Sequence, residues 1–514
     1  MRAQLRFLSD DLLAGRAPGT AGAGVAAAFI ATQLELAGLE PAAPDGSFFQ
    51  PVGLVGITAD PSLVIGVRRL TTSLRPLEDF VAWPEQPTPS LTVDGEMVFV
   101  GYGIQAREWQ WDDYKGTSLT GKILLMLAND PGLSDTSRFH GSALTKYGHW
   151  SYKLAQAARE GAAGVVLIHS DEGVGMPWSA VRNTWSGELV RADLPVMETL
   201  RFGAWMTEQA AREILAGTGR DFDLMVRRAQ QREFRPIELD AHVVLHIRSE
   251  VRRFESRNVI ARIPGSDSQG DEGVLLTAHY DHLGVRRAVE GDSVFNGALD
   301  NASGVAALLQ LAGAFARADA SPQRSMFFLA ATGGEGGYLG ADAFVSEPSV
   351  PLENIAAAVN LDRMNLWGPT RDVVALGADQ SSLGAYFERA AAAGALEAVG
   401  DPLPEAGRFW RSDHLAFARA GVPSISLASG VRYLGQEGDW GLERERTYAR
   451  ELYHQPGDEF SSDFDYEGAM QQLRLLLRMT WELANTTDFP GWHAGSEFRP
   501  AGEQLRLRRL RAPR

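Results

Sequence analysis

The chain of 514 residues contains no cysteine, which excludes disulfides, thiolate metal sites and a cysteine nucleophile. Any bound metal must therefore sit on His, Asp and Glu. Long apolar runs are missing too. No stretch reaches the roughly 18 consecutive apolar residues that a membrane-spanning helix needs, so no membrane span is expected. Positive charge is scarce: 49 Lys and Arg stand against 65 Asp and Glu, a formal net charge of -16. A surface of that sign argues against nucleic acid as a non-specific partner. The opening Met1-Arg2-Ala3-Gln4-Leu5-Arg6 has no apolar signal core. With the cysteine-free composition, the expected location is periplasmic or secreted, the signal peptide being absent from this chain; cytoplasmic is the alternative. Nothing in the pattern fixes an oligomeric state.

What is present is ordinary globular composition, 45% hydrophobic and 22% charged, in a chain too long for one core. Residues 1–40 carry apolar positions at helical spacing, with Gly38 as a stop, and 41–56 read as a loop. Residues 57–250 read as a separate α/β insert with strands Glu96–Gly101, Lys122–Leu127 and Gly164–His169, a helix Tyr152–Glu160, and a helix-rich patch over Phe202–Ala216. Over 251–490 strands and helices alternate regularly. The strands are Gly273–Ala278, Ser325–Ala331, Ile355–Leu361 and Val422–Ala428. The helices are Ala302–Ala318, Ala341–Ser346, Leu383–Ala393 and Tyr466–Asn485. That rhythm predicts an α/β fold with a mostly parallel sheet flanked by helices, whose ligands gather at the strand carboxyl ends. Residues 491–514 form an arginine-bearing tail, expected to be solvated and partly frayed.

The chemistry-bearing residues fall just after predicted strands. His279 closes the strand 274–278, and Asp281 two residues on shares its side of an extended segment, where it can orient the imidazole. Asp300 precedes a helix. It would serve as a cap there, but Asn301 or Ser303 can do that, and the small neighbours allow close approach to something compact. A carboxylate with two oxygens can bridge two metal ions. Glu335 lies in Thr332-Gly333-Gly334-Glu335-Gly336-Gly337, Asp362 follows Leu361, and His454 sits in the shaped loop Tyr453-His454-Gln455-Pro456-Gly457-Asp458. Each alone reads first as a turn or cap residue. Together they form a nitrogen and oxygen donor set of the kind that suits zinc.

The words His279-Tyr280-Asp281-His282, Leu299-Asp300-Asn301-Ala302-Ser303-Gly304, Asn360-Leu361-Asp362, Ser412-Asp413-His414 and Tyr453-His454-Gln455-Pro456 resemble the co-catalytic two-zinc aminopeptidases, whose clan includes glutamate carboxypeptidase and the transferrin receptor. In the insert, Val100-Gly101-Tyr102-Gly103-Ile104, Trp111-Asp112-Asp113-Tyr114, Gly121-Lys122-Ile123 and Gly161-Ala162-Ala163-Gly164 resemble a protease-associated domain. The resemblance implies that 1–56 completes the peptidase domain 251–490. It implies a peptide substrate and two zinc ions, one on His279 and Asp362 and the other on Glu335 and His454, bridged by Asp300. Asp281 would orient His279, and Asp413, His414 and Tyr453 would line the substrate cleft.

One position departs from the family. Two adjacent glutamates are usual here, the first a general base and the second a zinc ligand. The run Gly337-Tyr338-Leu339-Gly340 sets a register in which Glu335 is the ligand and Gly334 stands where the base should be. A register shifted by one makes Glu335 the base and leaves Gly336 at a ligand position. Glycine cannot take a proton, so weak hydrolysis is expected, and a glutamate restored at 334 is expected to raise turnover about 100-fold or more. The alternatives are a non-catalytic binding protein on the same fold, and a glutamate-releasing carboxypeptidase using Arg408 and Arg411. The glycine could equally be an introduced change.

Overall fold

The computed structural model describes residues 1–67, 70–194, 200–266 and 269–511. The chain divides into two compact units. The first comprises Met1–Leu54, Phe254–Pro402 and Arg411–Arg514; the second comprises Val55–Arg253 and Leu403–Trp410. No described helix is long and apolar enough to cross a membrane.

The first unit is built on a mostly parallel sheet. From one edge its strands run Glu397–Val399, Asp372–Leu376, Ser424–Ser429, Ile355–Leu361, Gly273–His279, Ser325–Ala331, and then the last part of the long strand Ile237–Ile263. The pairs among Ser424–Ser429, Ile355–Leu361, Gly273–His279 and Ser325–Ala331 are parallel. Val259–Ile263 closes one side antiparallel to Ser325–Ala331, and Asp372–Leu376 lies antiparallel to Ser424–Ser429. The central sequences GVLLTAH, SMFFLAA and IAAAVNL are buried at every position. That is why they read as continuous apolar runs: a parallel sheet is covered on both faces.

One face carries the helices Ala21–Leu36, Ser303–Ala316 and Glu467–Ala484, packed with Val274, Leu276, Phe328 and Val359 into one core. The helix Ser303–Ala316 buries eleven of its fourteen residues, in keeping with its nearly uniform apolar sequence. The other face holds a smaller core around Leu275, Leu329, Phe344, Ala358 and Phe417. Burying one such side chain contributes roughly 1.5–3 kcal/mol. The C-terminal segment differs from the frayed tail expected. Arg499–Arg511 is helical, with Leu505 buried in the smaller core and Arg509 against Glu272 and the Phe489 ring.

The second unit is itself α/β. Its sheet runs Ile237–Arg248 of the long strand, Ser90–Phe99, Ile123–Leu127, Gly164–His169, Phe202–Thr207 and Phe80–Pro84, the three inner pairings being parallel. The patch over 202–216 corrects the helix-rich reading. Its first part, Phe202–Thr207, is a strand, and only Glu208–Gly217 is helical. The apolar FGAWM run suits either conformation by pattern alone. Phe49–Val67, which begins inside the region expected to be loop, is also a long strand.

Candidate metal centre

His279 is the last residue of its strand, and Asp362 directly follows Leu361 on the strand alongside. Both therefore stand at the carboxyl end of the parallel sheet. Glu335 lies in the loop after Ala331 at the same end. The other two residues reach the site differently from the expectation of loops after strands. Asp300 sits in the turn Ala298–Ala302 that opens the helix Ser303–Ala316, and His454 follows the helix Trp440–Glu451.

Asp300 is at the centre. One of its oxygens lies 3.4 Å from His279 Nε2, and the other 3.5 Å from His454 Nε2. His279 Nε2 is also 3.8 Å from Asp362, and His454 Nε2 is 3.1 Å from Glu335. All five expected ligands are thus brought together. Donor atoms of His279, Asp300 and Asp362 lie close enough to share an ion, and so do those of His282, Asp300 and Glu335. His282 lies outside the expected ligand set. Its Nδ1 is 2.7 Å from Glu335 Oε1, and its Nε2 is buried with no hydrogen-bond partner among the described residues.

Asp300 is free to face the site because its neighbours do the local work. Asn301 accepts from the Gly304 amide and donates to the Leu361 carbonyl, and so caps the helix and ties it to the Asp362 strand. Asp458, absent from the expected set, accepts from the amides of Leu299 and Asp300 at 2.9 and 3.0 Å. The loop that bears His454 therefore also holds Asp300. Gly304 is required: a Cβ there would lie 2.2 Å from the Leu361 carbonyl oxygen.

The glycine-rich loop is fixed along its length. Asn258 accepts from the Thr332 amide at one end and donates to the Gly340 carbonyl at the other. Between them, Asp281 accepts from the amides of Gly334 at 2.9 Å and Glu335 at 3.4 Å. This adds to the role expected of Asp281. Its carboxylate stands 3.7 Å from His279 Nδ1, which faces the Asp281 backbone carbonyl at 3.2 Å. Asp281 thus also clamps the Glu335 loop. A Cβ at Gly334 would lie 2.5 Å from Cβ and Cγ of His279 and 2.9 Å from its Nδ1. Position 334 is therefore no empty niche waiting for a glutamate, and the expectation of simple restoration does not fit the packing.

Asp413, His414 and Tyr453 lie in the same unit. Tyr453 stacks on the His454 ring with centroids 3.9 Å apart. His414 is fully buried with Nδ1 against Ser412 Oγ, and Asp413 is 1% exposed. Neither faces open solvent. Burial lifts the Asp413 carboxyl to about 7, against the pull of His279. Arg411 belongs to this unit, whereas Arg408 belongs to the second.

The electrostatics follow from burial and charge density. Burial works against the charged forms of His279 and His454. The carboxylates outweigh it, raising His279 well above its usual value through Asp281, Asp300 and Asp362, and lifting His454 to about 9 through Glu335 and Asp300. The same contacts hold Asp300 and Glu335 below the ordinary carboxylate range despite their burial, while burial leaves Asp362 raised. The site thus demands positive charge, and without metal the two imidazoles supply it as protons. The donor set, nitrogen and oxygen without sulfur, fits zinc.

Residues 258–479 match peptidase family M28. The family resemblance read from the sequence holds over this segment, and the fold is mixed α/β with a mostly parallel sheet flanked by helices. Among solved structures, an aminopeptidase from Aneurinibacillus sp. strain AM-1 superposes with a TM-score of 0.57 at 18% identity, covering 95% of this chain and 94% of that one. A zinc aminopeptidase from Bacillus subtilis gives a TM-score of 0.48 at 18% identity, covering 95% of each chain. A vacuolar membrane protease from Laccaria bicolor is 38% identical over 92 residues, which is 18% of this chain and only 8% of that protein.

A metal-free test follows from His454. A histidine with a folded pKa of about 9 against a usual 6.5 stabilises the fold below pH 6.5, and that contribution is lost as pH rises towards 9. The thermal midpoint of chelator-treated protein should therefore fall across this window, and His454→Gln should flatten the decline. An equal decline in both proteins contradicts the electrostatic account.

Proposed function

We propose that the chain is a zinc-dependent exopeptidase of the aminopeptidase type, slowed by the glycine at its base position. The observation that carries the reading is the sharing of Asp300 between two histidine–carboxylate groups, one at each oxygen. In this reading His279 and Asp362 hold one zinc, Glu335 and His454 hold the other, and Asp300 bridges them. Two such ions supply a polarised scissile carbonyl and a water acidic enough to be deprotonated near neutral pH. The protein's part is orientation. Asp458 fixes Asp300 from behind, Asp281 holds the Glu335 loop by its backbone, and His282 sets the Glu335 carboxylate. Glu335, committed to metal, is a poor proton acceptor, and Gly334 offers no side chain. A peptide with a free amino terminus is the proposed substrate. The second unit is proposed to be a protease-associated domain, and on composition the proposed compartment is the periplasm or the medium.

Metal analysis of purified variants tests the ligand assignment. The unaltered chain should bind about two zincs and hydrolyse aminoacyl-nitroanilides weakly, with activity abolished by chelation. Asp300→Ala should lose metal from both positions and Glu335→Ala mainly from one, because a bridging ligand serves two ions. Equal loss from the two variants contradicts the bridge. Metal-loaded protein that binds peptide without any turnover would favour a binding role on the same fold.

The base position gives a separate test. Gly334→Ala and Gly334→Glu must push the His279 side chain or drag a loop that is pinned at both ends. Both should weaken zinc binding, by about tenfold or more on the scale of lost metal-supporting contacts. Gly334→Glu should then miss the gain of about 100-fold that a well-placed base provides. A glutamate variant that keeps zinc and gains that factor in turnover would show that the loop opens to accept it.

A further inference from the structure

Arg16 is fully buried, yet among the described residues no carboxylate accepts a hydrogen bond from it. Its Nε donates to the Tyr280 carbonyl at 2.8 Å. One terminal nitrogen donates to the carbonyls of Leu8 and Asn296, and the other to the Gly297 carbonyl at 3.0 Å. Tyr280 lies between His279 and Asp281, and Gly297 begins the turn that presents Asp300. A single side chain from the N-terminal segment therefore joins the two loops that carry the bridging carboxylate and its neighbouring histidine.

The segment is shaped for this approach. Asp11–Arg16 turns through left-handed backbone at Ala14 and Gly15. A Cβ on Gly15 would lie 2.4 Å from the Phe295 carbonyl oxygen. Asn296, which gives its carbonyl to Arg16, donates its side-chain amide to Asp11 at 2.7 Å. Burying a guanidinium is costly unless opposite charge lies near. The charges that favour it are those of Asp281, Asp458, Asp300 and Glu335, all at the metal centre, and burial still depresses its pKa to about 10. With carbonyls as its partners, Arg16 takes up no oxygen of those carboxylates. A guanidinium bonded directly to them would compete with an ion.

We propose that Arg16 is a positioning residue of the metal centre, a buried cation that spaces the His279 and Asp300 loops for metal and offsets their carboxylates without occupying their oxygens. The inference rests on the two-metal reading of the site. It makes the N-terminal segment part of the metal-binding apparatus and not only a packing layer.

The test uses the full chain with Arg16→Lys, which keeps the charge but cannot span four carbonyls, and Arg16→Met, which removes both. Zinc affinity is measured by competition with a chromophoric chelator, the visible spectrum is recorded after cobalt substitution, and folding is followed by circular dichroism. Both variants should fold and bind zinc about tenfold or more weakly, with Arg16→Met the weaker, and the cobalt spectrum should change because ligand spacing has changed. Unchanged affinity and an unchanged cobalt spectrum in Arg16→Lys and Arg16→Met overturn the proposal. So does a loss of fold in both that saturating zinc fails to repair, since the role is then structural alone. If the unaltered chain itself takes up neither zinc nor cobalt, it is the two-metal reading that fails, and with it the ground for this one.

Discussion

Six carboxylates crowd the carboxyl end of one parallel sheet, and the rest of this site depends on how their charge is met. Asp281, Asp300, Asp413 and Asp458 are buried, and Glu335 and Asp362 are mostly so. Such a cluster is costly to ionise in a low-dielectric setting unless cations lie within a few ångströms. Without metal, the structure meets the need with protons on His279 and His454 and with the fixed charge of Arg16. Placing dications among the same atoms would meet it more fully. The need for positive charge and the capacity to bind metal are thus the same property.

Rigidity around the cluster explains how carboxylates can stay close without collapsing onto solvent. Asp300 and the Glu335 loop are held largely through backbone groups. Asn301 and Asp458 hold Asp300, and Asn258 and Asp281 hold the Glu335 loop. Arg363, next to Asp362, is pinned between Glu445 at 2.6 Å and the Tyr448 ring. Removing one member of such a buried network leaves unsatisfied groups that cost about 1–3 kcal/mol each. The same rigidity gives Gly334 its meaning. With both ends of the loop bonded and His279 against its middle, glycine is what the packing permits at position 334.

Much of this was legible in the sequence. The strands Ser325–Ala331 and Ile355–Leu361 and the helix Leu383–Ala393 follow directly from apolar runs bounded by turn residues. Spacing alone could not unite the five expected ligands; the family words did. Other features carried no local signal. Arg16 lies more than 260 residues from Tyr280, and nothing in its surroundings distinguishes it from a surface arginine until the chain folds. Asp458 reads as the end of a Pro-Gly turn, although its position four residues after His454 puts it in the same loop. The long strand Ile237–Ile263 is hidden because its solvent-facing positions carry charge, such as Arg248, Glu250 and Arg252, and break the apolar pattern. The burial of His414 is likewise a tertiary fact, and its place beside Asp413 in a family word suggested an exposure it does not have.

The central claim is that Asp300 joins two metal positions into one centre. X-ray absorption at the zinc edge of the loaded protein addresses it most directly. The account predicts a shell of nitrogen and oxygen only, at about 2.0–2.2 Å, together with a metal–metal feature at about 3.5–4 Å. A spectrum of isolated zinc with no metal–metal feature, at full loading, would contradict it.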